Sequence, residues 1–82
     1  MKLTEKRRKV LKALSRYANV DREPDHHQIA VDCGQKYATA DWAHGALRAL
    51  LEAGYVEVAG KRYMGGRTWR ITPLGRTMLS SV

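Results

Sequence analysis

The stretch Leu47-Arg48-Ala49-Leu50-Leu51-Glu52-Ala53-Gly54-Tyr55-Val56-Glu57-Val58 contains a change of period on which the fold turns. Up to Ala53 the apolar residues keep helical spacing, with Ala43, Leu47, Leu50 and Leu51 at i, i+4, i+7 and i+8. From Tyr55 to Val58 they alternate as in a strand. Gly54 stands at the switch, where a residue able to take the left-handed conformation ends a helix. The helix is expected to start at Thr39 as its cap, carry Asp41 in its first turn, and run through Ala53.

Downstream, Arg67-Thr68-Trp69-Arg70-Ile71-Thr72 reads as a second strand, with Trp69 and Ile71 facing the core and Arg70 facing away. Ala59 to Gly66 is glycine-rich and basic, the composition of a hairpin with a projecting tip. Thr72 and Pro73 then suit the cap and first position of a last short helix, whose apolar side is Leu74, Met78 and Leu79. Upstream, Leu3 to Ala18 reads as a helix capped by Thr4, with Glu5 at the positive end of its dipole. Its stripe is Val10, Leu14 and Tyr17, flanked by Leu11 and Ala18. Asn19 to Asp25, containing Pro24, is expected as loop. His26 to Cys33 forms a short amphipathic helix, with Ile29, Ala30 and Cys33 on one side and Gly34 closing it. Gln35 to Ala38 is left as a tight connection.

The predicted class is therefore α+β, one domain over residues 1–82. Its order is that of a winged helix-turn-helix: a three-helix core, a C-terminal β-hairpin wing and a short final helix. Such an arrangement suits duplex DNA. One helix fits the major groove, where base edges carry a unique donor and acceptor code, and a basic loop reaches phosphates or the minor groove.

Leu47 to Glu57 resembles the "LxxLxxxGYVE"-like end of the recognition helix and the strand that follows it in bacterial winged-helix repressors of the ArsR, MarR and PadR type. Trp69-Arg70-Ile71-Thr72-Pro73-Leu74-Gly75-Arg76 resembles the "YxLTxxGR" signature that closes the wing in MarR- and PadR-like proteins. With the first helix, the resemblance spans nearly the whole chain and implies a DNA-binding regulator. Two departures stand out. Only Pro73 to Val82 follows the hairpin, where those families carry long dimerisation helices, so no effector site is expected. The positions that usually read DNA hold Asp41, Trp42, His44 and Gly45 instead of a run of Ser, Thr, Arg and Gln.

Charge supports a polyanionic partner. The net charge is +7, divided as +6 over residues 1–20, −4 over 21–57 and +5 over 58–82. Two basic ends around an acidic middle fit a polyanion touched at two places. The hydrophobic fraction of 44% and mean hydropathy of −0.49 fit a small core under a polar surface. No apolar run approaches the roughly 20 residues of a membrane span, and no secretory signal is evident, so a cytoplasmic protein with no membrane partner is expected. The single cysteine, Cys33, cannot form an internal disulfide. His26, His27, Cys33 and His44 match no zinc spacing, and no catalytic arrangement stands out. No metal, cofactor or enzymatic activity is expected.

The expected DNA contacts are Thr39, Asp41, Trp42, His44, Gly45 and Arg48 on the recognition helix, and Lys61, Arg62, Tyr63 and Arg67 on the wing. Trp42, taken to be on an exposed face, packs either on DNA or against the hairpin or a partner subunit. The Lys6–Lys9 run is either a solvated face or a further DNA contact. The expected partner is double-stranded DNA; Leu74, Met78 and Leu79 either join the first helix in an interface with a second copy of the chain or pad the core beneath that helix. Two other functions fit the same pattern: a winged helix used for protein contact, with Trp42, Tyr63 and Met64 as anchors, and an architectural or recombination accessory DNA binder of phage or plasmid type.

Overall fold

The computed structural model describes residues 3–35, 42–61 and 67–80, the side chain of Lys61 excepted. Its elements run α1 (Glu5–Asn19), α2 (His26–Asp32), α3 (His44–Glu52), β1 (Val56–Lys61), β2 (Arg67–Ile71) and α4 (Pro73–Ser80). Among the described residues this is four helices and one two-stranded antiparallel sheet, an α+β architecture as expected. No helix there is long and apolar enough to cross a membrane.

Thr4 caps α1, its Oγ1 accepting the Arg7 amide at 3.3 Å. Val10, Leu11, Ala13 and Leu14 form the buried face of α1, while Tyr17 and Ala18 lie half-buried at its edge. The helix closes with the Asp21 amide on the Ala18 carbonyl and the Arg22 amide on the Tyr17 carbonyl. This is a Schellman ending, and Asp21 (φ 55°) fills the left-handed position that usually takes glycine.

Asp25, expected in a loop, is instead the cap of α2. Its carboxylate accepts the Gln28 amide at 2.8 Å, and the Gln28 side chain accepts the Asp25 amide at 3.2 Å. The same short stretch pairs with the sheet. Asp25 forms a bridge with Thr68, and the Trp69 amide donates to the Pro24 carbonyl at 2.9 Å. The chain ahead of α2 is thereby fastened to the free edge of β2.

Within the described residues the third helix runs His44–Glu52, and its expected cap, Thr39, lies outside them. Ala46, Leu47 and Leu50 form its buried face, with Ala43 buried just ahead of it. Leu51, expected in the core, is 38% exposed. At about 100° per residue it stands a full 100° from Leu50, beyond the edge of a stripe centred there. Gly54 (φ 81°) ends the helix, its amide on Leu51 and the Tyr55 amide on Leu50, at 3.0 and 2.9 Å.

The register pairs Val56 with Ile71, Glu57 with Arg70 and Val58 with Trp69. After an irregularity between Val58 and Gly60 it resumes as Gly60 with Thr68 and Lys61 with Arg67. Residues 59–61, expected in the hairpin tip, therefore extend β1. Trp69 and Ile71 are buried as expected, and Thr68 is buried too because Asp25 covers the outer edge of its strand.

Thr72 joins α4 to the end of α3. Its amide donates to the Tyr55 carbonyl at 3.0 Å, its hydroxyl donates to the Gly54 carbonyl at 2.6 Å, and the same oxygen accepts the Gly75 amide at 3.1 Å. Gly75 is pressed against this joint. A Cβ there would overlap the Tyr55 carbonyl oxygen and lie 2.9 Å from Cγ1 of Ile71. The "GY" and "TPLG" parts of the two sequence signatures are thus one interlocked contact. One core unites α1, α3 and the sheet, with Ile29 from α2, and Met78 and Leu79 pack against it. Of Leu74, Met78 and Leu79, only Leu74 is largely exposed, at 50%.

Candidate nucleic-acid interface

The buried positions of α3 determine which of its residues are presented outward. With Ala46, Leu47 and Leu50 in the core, the opposite side carries His44, Gly45 and Arg48, all exposed. Arg48 lies 3.9 Å from Glu52 one turn later, a solvent-exposed pair that constrains it little. Nothing lies within 4 Å of where a Cβ on Gly45 would sit, so a surface can approach the backbone closely at that position.

Trp42 is not on an exposed face. It is half-buried and packs against the core, and the Lys6 ammonium sits 4.8 Å from its ring centroid. Such a cation–π contact at a partly exposed site is worth about 0.5–1 kcal/mol. It ties the first turn of α1 to the approach of α3. This juxtaposition had no local sequence signal, because the two residues are 36 positions apart. Thr39 and Asp41 lie outside the described residues.

The sheet supplies the second part. Gly54 and Tyr55 lead directly from α3 into β1, so the strands extend from the helix end. Arg70 is engaged by Glu57 on the neighbouring strand at 2.8 Å. Arg67 is exposed and has no carboxylate partner among the described residues. It stands opposite Lys61 on the last described rung. Arg62 and Tyr63, expected at the tip, lie outside the described residues, as does the side chain of Lys61. The alternating pattern identified Arg67, but the rung it shares with Lys61 follows from a register the sequence did not reveal.

The described residues contain no grouping of three or more histidine, cysteine, aspartate or glutamate side chains suited to a metal. Cys33 is half-buried beneath α1, and burial pushes its thiol above the ordinary range, with Arg16 opposing. No protein-family model, curated protein or solved structure matches this chain.

Proposed function

We propose that the chain is a winged-helix protein that binds double-stranded DNA as a small transcriptional regulator, with α3 in the major groove and the β1–β2 hairpin as the wing. The observation that carries this reading is one arrangement: α3, with its exposed His44–Gly45–Arg48 face, runs through Gly54 directly into a ribbon that carries the exposed Arg67. Helix and ribbon share the rigid joint at Gly54, Tyr55 and Thr72, which holds a groove contact and a phosphate contact in fixed relation. The bridge from Asp25 to Thr68 fastens α2 to the same ribbon. In this reading His44 and the open backbone at Gly45 face bases, whereas Arg48, Lys61, Arg62 and Arg67 face phosphates.

A salt titration of binding to duplex DNA tests it. Replacing Lys61, Arg62 and Arg67 together with alanine should weaken binding to every duplex alike. The slope of log affinity against log salt should fall by about one for each lost phosphate contact. Equal affinity and equal slope for wild type and triple variant would reject the wing, and salt-independent binding by the wild type would reject nucleic acid altogether.

A further inference from the structure

The inward side of α1 is apolar, and its outward side is almost entirely basic. From Glu5 to Asn19 the helix has six lysines and arginines and one acid, Glu5. Arg8, Lys12 and Arg16 recur at four-residue intervals, about 6 Å apart along the axis, so they form one row. Successive members of such a row are like-charged i, i+4 neighbours, and each pair disfavours the helix on its own. Only weak partners offset this: Lys9 lies 3.8 Å from Glu5, and Arg16 lies 3.7 Å from Asp32. Arg8 and Lys12 have no carboxylate partner among the described residues. Lys9, Lys12 and Arg16 also line one wall of a cleft of about 210 Å³, where Asp32 is the single carboxylate.

The row stands on a different helix from the exposed His44–Gly45–Arg48 face. Both helices turn their buried faces into one core, Val10, Leu11 and Leu14 from α1 and Leu47 and Leu50 from α3. Each exposed face therefore lies on the side of its own helix away from that shared core. Lys6, about a third of a turn off the centre of the row, belongs with Trp42 on the α3 side.

We propose that the Arg8–Lys12–Arg16 face of α1 is a second binding surface for the phosphate backbone, so that one molecule holds two separate duplexes together. The inference rests on the DNA-binding reading above and adds a second, sequence-independent site to it. Phosphates spaced along a strand suit a linear row of cations, and their arrival would also remove the repulsion within α1.

The experiment uses a tethered duplex and a labelled free duplex. Wild-type protein should retain the label, and the Arg8→Gln, Lys12→Gln, Arg16→Gln variant should lower retention at least tenfold. Its affinity for a single duplex carrying a selected site should change far less than its retention. Circular dichroism verifies that the variant folds, and Lys12→Glu alone serves as the second variant if it does not. Unaltered retention in a folded variant overturns the proposal, since a dimer presenting two copies of α3 would bridge without this row. Loss of binding to phosphatidylserine vesicles, with no bridging at any protein concentration, overturns it in favour of a membrane surface. Failure of the wild type to bind even one duplex removes the reading on which it rests. The DNA-binding reading alone survives if single-duplex binding is tight and bridging is absent.

Discussion

At its C-terminal end α3 is closed by Gly54, by the Tyr55 amide on Leu50, and by Thr72 donating to Gly54 and Tyr55 from the far side of the ribbon. At its N-terminal end Ala43 leads into the helix already in a right-handed helical conformation, with no side-chain cap. There Ala43 and Ala46 are buried in the shared core, and Lys6 lies over Trp42. The closed end consists of hydrogen bonds to backbone around the buried Tyr55 and Gly75, where a change of shape at Gly75 meets backbone. The open end consists of exposed side chains on a finished scaffold. Sequence can vary at the exposed His44 and Gly45 without threatening the fold, as the proposed contact with DNA would require.

The sharpest way to break this comparison is at Gly75. Gly75→Ala drives a Cβ into the Tyr55 carbonyl, and the collision is with backbone, which cannot swing aside. A loss of roughly 3 kcal/mol is expected by urea unfolding, the upper part of the range for overpacking. A stability within 0.5 kcal/mol or so of wild type would show that α4 docks otherwise. Next in size is His44→Ala at the open end. It should change preference at one or two base pairs by about 1–3 kcal/mol in a selected-site experiment, while the unfolding midpoint stays put. An unchanged selected motif would remove His44 from the reading surface. The smallest effect sharpens the comparison by moving the residue used at the closed end of α3 to the end of α1. Asp21→Gly relieves a left-handed aspartate and removes a negative charge from the negative end of the helix dipole. Against the extra freedom of the unfolded chain, a net gain of about 0.5 kcal/mol is expected in thermal unfolding. A loss would mean that the Asp21 side chain is worth more than its strain.

The helices and both strands were legible because each leaves a periodic trace in a dozen neighbouring residues. Thr4, Gly34, Gly54 and the Thr72–Pro73 pair were legible for a related reason: a cap or stop acts within one turn of itself. Asp25 and Gln28 carried the same kind of signal, an acid three residues before a glutamine, ahead of a helix start at His26 that the sequence places correctly. Other features had no local trace. Asp25 meets Thr68, and Lys6 meets Trp42, only once the core has formed. The irregularity at Ala59 that carries β1 to Lys61 depends on the partner strand. At the candidate interface, residue types identified His44, Arg48 and Arg67, but only burial removed Trp42 from the exposed set.

The joint at Thr72 also has a consequence in time. Gly54 and Tyr55 leave the ribosome before the residues that clamp them, so α3 is at first an end without a lock. The lock waits for the ribbon to turn back and deliver Thr72, eighteen residues after its acceptor at Gly54. Closing a loop of that length is fast beside synthesis, so the delay is set by translation and not by diffusion. Until Gly75 has emerged and seated on Tyr55, the end of α3 lacks this lock, and a pause in synthesis within the ribbon would prolong that interval.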